Sequence, residues 1–124
     1  MTREEGGWSE PAPVGPGVNA GHLHWQASVD RDGNLYFGSE RRGSLGRDDI
    51  FVAPWNGDSH GEALPMPAPI NTESHESMPF VGPDGDYLLF VRAHYGAGEP
   101  PYPTGLLASF RRADGSWSDP VRVP

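Results

Sequence analysis

Ile70-Asn71-Thr72-Glu73-Ser74-His75-Glu76-Ser77-Met78-Pro79-Phe80-Val81-Gly82-Pro83-Asp84-Gly85-Asp86-Tyr87-Leu88-Leu89-Phe90 decides how this chain is read, because its skeleton occurs twice. An earlier copy runs from Val18-Asn19 through Asp32-Gly33 to Leu35-Tyr36-Phe37. Asn19 and Asn71 lie 52 positions apart, and so do Asp32 and Asp84. Self-similarity at a period near fifty residues points to a repeat architecture, in which each copy is one supersecondary unit.

Each copy reads as four short antiparallel strands. Trp25–Asp30 alternates, with Trp25, Ala27 and Val29 set against Gln26, Ser28 and Asp30. Asp32-Gly33 is a hairpin signal, since both residues tolerate positive φ. Leu35–Ser39 returns, residues 41–46 form a loop, and Ile50–Ala53 makes a third strand that Pro54 ends. A weaker fourth strand falls over Glu62–Met66. The second copy repeats the order: Ser77–Val81, the Asp84-Gly85 turn, Tyr87–Arg92, a Gly- and Pro-rich loop over 96–103, Leu106–Arg111, and a closing segment Trp117–Val123. That closing segment resembles Trp8-Ser9-Glu10-Pro11 and starts the pattern again. Ile50-Phe51-Val52 and Leu88-Leu89-Phe90-Val91 are apolar on both sides, as strands buried on both faces are. Blades of a propeller, each sandwiched between neighbours, demand that pattern. No amphipathic helix is visible.

The totals bound what else the chain can be. Its 124 residues suffice for one modest domain, and 35% apolar content is low for a self-sufficient globule. The 17 Gly and 14 Pro fall between short apolar runs, so they punctuate turns. A net charge of −8, with no basic stripe, argues against nucleic acid. There is no Cys, and hence no disulfide or thiolate chemistry. No apolar run approaches the ~18 residues of a membrane span.

In order and spacing the motifs resemble the TolB-like (WD40-like) β-propeller repeat family of bacteria. That family's pattern is Trp-x-x-Pro, Ile/Val-Asn, Glu-x-x-Pro, Ser-Pro-Asp-Gly, an aromatic strand and Gly-x-Asp-Ile-Tyr. The second copy supplies Ile70-Asn71, Glu76-Ser77-Met78-Pro79 and Pro83-Asp84-Gly85. The first supplies Trp8-Ser9-Glu10-Pro11, Val18-Asn19, Asp32-Gly33 and Asp49-Ile50-Phe51. It departs at His24-Trp25-Gln26-Ala27, where Glu-x-x-Pro belongs, and at Arg31. In the second copy Gly82 replaces the Ser, and Gly105 stands where the Asp before the third strand belongs. The resemblance implies an all-β fold of two four-stranded antiparallel blades plus an extra outer strand. On this reading residues 1–7 are a frayed tail, 8–14 the outer strand of a preceding blade, 18–66 one blade and 70–124 the next. Closed propellers need about four blades or more. The chain is therefore expected to be a fragment of a longer product or to self-associate. Location in the periplasm or outside the cell follows from the resemblance alone.

Candidate chemistry competes with simpler structural roles. Asp30-Arg31-Asp32-Gly33-Asn34 echoes a calcium loop, but Arg41 stands where the distal Glu belongs, so a hairpin turn is the better reading. His22, His24, His60, His75 and His94 do not recur at matching positions and form no zinc-ligand spacing. No metal or cofactor is called for. Asp32, Asp84 and Asp49 invite a glycosidase reading, which needs facing carboxylates, but Asp32 and Asp84 recur with the repeat. Their recurrence at a turn fits acceptance of turn amides instead, and Asn19, Gly33, Asn71 and Gly85 are likewise assigned to turns. His24, His75 and Glu76 lie where the innermost strand would enter an axial channel, and are the candidates for ligand contact. Arg41, Arg42, Tyr95 and Tyr102 sit on rim loops suited to a protein partner. No catalytic residue is assigned. The leading expectation is a non-catalytic module that binds protein or ligand. The alternative is part of a propeller-fold hydrolase acting on glycans or peptides, with catalytic residues largely outside this chain.

Overall fold

The computed structural model describes residues 1–20 and 23–124, the side chains of 23–25 excepted. The fold is all-β, with antiparallel sheets of two, four and four strands. The first four-stranded sheet is β3 (Leu23–Val29), β4 (Leu35–Glu40), β5 (Asp49–Ala53) and β6 (Leu64–Pro65), in that order. The second is β7 (His75–Val81), β8 (Tyr87–Ala93), β9 (Gly105–Phe110) and β10 (Val121–Arg122), again in chain order. Both are meanders closed by tight turns, in which Gly33 (φ +88°) and Gly85 (φ +68°) take the left-handed conformation. The turns differ by one residue: Val29 pairs with Leu35, whereas Val81 pairs with Leu88. Returning strands therefore match at an offset of 53, aligning Leu35-Tyr36-Phe37 with Leu88-Leu89-Phe90.

The first strand of each sheet, β3 and β7, carries a one-residue bulge at the same place. Ladder pairing shifts between Trp25 and Ala27 and between Ser77 and Phe80. Gln26 (φ +28°) and Met78 (φ +55°), 52 positions apart, are the non-glycine residues with positive φ among those described. The bulge breaks the alternation expected over Trp25–Asp30: Trp25 pairs with Gly38 and Ala27 with Phe37, neighbours on opposite faces of β4. Val29 is exposed and Asp30 buried, the reverse of an apolar-inside strand, because Asp30 turns in to accept the Asn34 amides.

Two apolar layers hold the structure. Between the sheets, Tyr36 and Ile50 meet Val81, Leu88, Phe90 and Leu107, with Met66, Ile70 and Trp117 closing the edges. On the other face of the first sheet, Leu35, Phe37, Phe51 and Ala53 lie under Val18 and Ala63. The first sheet is thus buried on both faces, as the run Ile50–Val52 requires. The strand β7 lies against β3, β4 and β5. Ser28 Oγ accepts the Val81 amide at 2.9 Å, and the Arg31 amide donates to Pro83 O at 2.7 Å.

The amino-terminal end departs from the reading above. Residues 1–7 do not simply fray: β1 (Arg3–Glu4) pairs with β2 (Gly7–Trp8) in an exposed hairpin, turned at Gly6 with φ +96°. No strand runs over 9–14, where Pro11 and Pro13 lack the amides a ladder needs. Pro16–Asn19 forms a single helical turn (α1), which the sequence reading missed; Pro16 presets φ at the first position and Asn19 Oδ1 accepts the Gly15 amide.

Candidate functional site

The start of β7, the end of β8 and the loop 41–48 converge at one end of the sheets. Their strongest feature is a buried ion pair that register imposes, since Glu76 and Arg92 are directly paired on adjacent strands. Arg92 Nε donates to Glu76 Oε1 at 2.7 Å, and Arg92 Nη2 donates to the carbonyls of Pro69 (2.8 Å) and Ile70 (2.9 Å). Arg92 Nη1 reaches Pro103 O at 3.2 Å. Glu76 also accepts from Thr72, through its amide (3.1 Å) and its hydroxyl (2.5 Å). Every polar arm of the pair is thereby used within the chain.

Asp49 is equally engaged. It accepts the amides of Leu45 (2.6 Å) and Gly46 (3.0 Å), while burial raises its carboxyl above the ordinary carboxylate range and Glu76 and Asp48 add to that shift. Asp48 differs. Its Oδ2 lies 3.7 Å from His75 Nδ1, and its Oδ1 is buried without a hydrogen-bond partner. The His75 ring meets Tyr95 edge-on at 4.9 Å. Gln26, Asp48, Ser77 and Met78 line a cavity of about 330 Å³, so the two strained bulge residues and Asp48 border the same space. Beside it, Ser74 Oγ bonds His94 Nδ1 (3.1 Å) and Tyr102 OH (2.9 Å). Ser74 itself is buried. Among the described residues, no group of three or more His, Asp or Glu side chains could hold a metal ion.

Of the residues singled out from sequence, His75 and Glu76 are adjacent here, but only His75 borders open space; Glu76 is sealed against Arg92. The His22 and His24 side chains lie outside the described residues. Arg41 is turned inward: Nη2 donates to Val18 O (2.6 Å), Nη1 to Gly17 O (3.3 Å), and the guanidinium covers the Phe37 and Phe51 rings. Arg42 is exposed beside it, Tyr95 is largely exposed, and Tyr102 is held by Ser74 and stacked under Arg92. Asp32 and Asp84 do occupy the hairpin turns, yet the turn amide of Asn34 is accepted by Asp30, and Asp84 pairs with Arg31. Asn71 reaches beyond its own turn: it exchanges hydrogen bonds with both backbone groups of Ile50 and donates to Met66 O, all at 2.9 Å. Among the described residues, Asn19 bonds Gly15 locally.

Sequence reasoning missed Asp48, Ser74 and Arg92. Arg92 had a signal: a cation ending an apolar run buried on both faces needs an anion on the neighbouring strand. Among the described residues no helix is long and apolar enough to cross a membrane. Comparison with family models, curated proteins and solved structures gives no match.

Proposed function

We propose that the chain is a non-catalytic β-propeller repeat module, resembling the TolB-like propellers, that binds a protein or small ligand at the Asp48 cavity. The observation that carries this reading is repetition in space. Both sheets have one strand order, matching bulges and a glycine turn at the same place, and they stack so that the Tyr36–Ile50 face of the first covers the Leu88–Phe90 face of the second. By the 53-residue offset these are opposite faces of one unit, so the sheets follow each other in the same sense, as blades do.

Binding is favoured over hydrolysis by how the carboxylates are used. Glu76 and Asp49 are consumed by Arg92 and by loop amides, so neither is free for the acid and base work that hydrolysis needs. The Ser74–His94 contact offers no exposed nucleophile, because the hydroxyl is buried and shared with Tyr102. Asp48 borders the cavity with a carboxylate that the chain leaves partly unsatisfied, and it is the acceptor offered to an N–H or O–H of a ligand. The test is amide chemical-shift mapping with a panel of amines, sugars and short peptides, run beside a glycan and peptide hydrolysis panel. Shifts confined to Gln26, Asp48, His75 and Ser77, abolished by Asp48→Asn, are the expected result. Turnover that Ser74→Ala removes, or no localised shift with any probe, refutes the reading.

A further inference from the structure

The Asp48 cavity is bordered by the bulge residues of both sheets, Gln26 of β3 and Met78 of β7. Asp48 is the charged residue among the four that line it; Gln26 and Ser77 are neutral and polar, and Met78 is apolar. The Asp48 side chain is 26% exposed while its Oδ1 is sealed without a partner, so a ligand meets the carboxylate at Oδ2. His75 Nδ1 stands 3.7 Å from Oδ2, beyond hydrogen-bond length, and leaves that oxygen free to accept.

Among the described residues no guanidinium compensates this charge. Arg92 is held by Glu76 and by the carbonyls of Pro69 and Ile70. Arg41 turns to Gly17 and Val18, and Arg47 lies 3.8 Å from Glu40. Asp49 follows Asp48 at the start of β5; burial raises its carboxyl, and Glu76 and Asp48 push it further, so the local field is negative. The chain as a whole carries −8. All nine of its basic residues are Arg and none is Lys, so no side chain of its own brings an ammonium to the cavity. A partly buried carboxylate costs free energy until a cation meets it.

We infer that the ligand of this cavity is an alkylammonium group, a protonated primary amine on a short apolar stem. This rests on the binding reading above and names the ligand class for the same site. A primary ammonium has three N–H donors, and the lining offers three acceptors: Asp48 Oδ2, the Gln26 side-chain oxygen and the Ser77 hydroxyl. The stem lies against Met78. A guanidinium fits less well, because its fork asks for both carboxylate oxygens and Oδ1 is sealed. At about 330 Å³ the cavity stands at the small end of ligand sites, with room for a group the size of a lysine side chain. Such a group arrives either as a free small amine or on a lysine of a partner protein.

Amide chemical-shift titrations of the full chain test this, with n-butylamine, a blocked glycine peptide carrying one central lysine, n-butanol and tetramethylammonium as probes. Both amines should shift Gln26, Asp48, Ser77 and Met78. n-Butanol keeps the stem without the charge and tetramethylammonium keeps the charge without an N–H, so each should bind at least about tenfold more weakly. Tighter binding of the peptide names a partner's lysine as the source, and tighter binding of n-butylamine a free amine. Asp48→Asn should weaken both amines by about tenfold or more. Raising salt to about 0.5 M should weaken them severalfold, because the attraction is screened. Gln26 is exposed, so its variants serve if Asp48→Asn does not fold: Gln26→Glu should tighten amine binding, and Gln26→Lys, which tethers an ammonium beside Asp48, should block it. Equal affinity for n-butanol or tetramethylammonium, amine binding that Asp48→Asn or Gln26→Lys leaves unchanged, or no shift with either amine overturns the proposal. A neutral sugar or neutral peptide that shifts these residues where the amines do not overturns it too, yet leaves the binding module standing, so the two readings fall separately.

Discussion

Removing Glu76 should cost the chain much of its stability, although the sequence places this residue at a ligand mouth. The carboxylate is fully buried and neutralises an Arg92 that is itself buried. Glu76→Ala leaves that guanidinium without its counter-ion in a dry site, and breaking a buried pair from one side costs about 3–5 kcal/mol. A domain of this size has about 5–15 kcal/mol in all. Urea unfolding followed by tryptophan fluorescence is a suitable assay, because Trp117 is buried between the sheets and reports their separation. With an m-value of about 2 kcal/mol/M, the midpoint should fall by roughly 2 M. Glu76→Gln should cost less, since the amide oxygen can still accept from Thr72 or Arg92. The double variant Glu76→Leu/Arg92→Met should recover only part of the loss, because Arg92 also satisfies the carbonyls of Pro69, Ile70 and Pro103. A Glu76→Ala midpoint within about 0.5 M of wild type would refute the reasoning and return Glu76 to the ligand site.

Three further outcomes follow from the same contacts. Gly46→Ala drives a Cβ into the Ser74 carbonyl, backbone that cannot swing aside, so it should destabilise by about 1–3 kcal/mol in the same urea assay. Asn71→Ala strips three hydrogen bonds from the buried junction between the sheets and should cost about 2–4 kcal/mol, whereas Asn19→Ala should cost under about 1; equal effects would contradict the assigned roles. Because burial raises the Asp49 carboxyl, its contribution to stability is complete below the ordinary carboxylate value of about 4 and declines as pH rises through the raised value. Wild type should therefore lose stability relative to Asp49→Asn between pH 4 and neutrality, and parallel pH profiles of the two would rule this out.

Much of the fold was legible because it is written in turn chemistry and apolar runs. Asp32-Gly33 and Asp84-Gly85 mark turns whose glycines do take positive φ, and Ile50–Val52 lies in a strand buried on both faces. The bulges were not legible. Gln26 and Met78 are residues with no preference for positive φ, so the alternation read over Trp25–Asp30 runs straight through the point where the ladder slips. The candidate site was legible only in outline. His75 and Glu76 were placed near the mouth, but whether a carboxylate is free or sealed depends on the strand opposite. Glu76 faces Arg92 across the ladder, 16 residues away in sequence, while Asp48 comes from a loop of the other sheet.

The two arginines show why a position-by-position comparison of the copies understates their likeness. Arg92 holds the carbonyls of Pro69 and Ile70; Arg41 holds those of Gly17 and Val18, the same backbone groups 52 residues earlier. Yet the ladder position matching Arg92 is Ser39, and Arg41 stands two residues beyond it. Ser39 accepts from Arg41 Nε at 3.1 Å, where Glu76 accepts from Arg92 Nε at 2.7 Å. A guanidinium at the end of each second strand thus clasps the segment entering its sheet, reached from different points on the chain. What the copies share is a set of backbone carbonyls needing donors in a dry place. A long planar cation can meet that need from either of two positions, so the two sheets keep the same contact with different sequences.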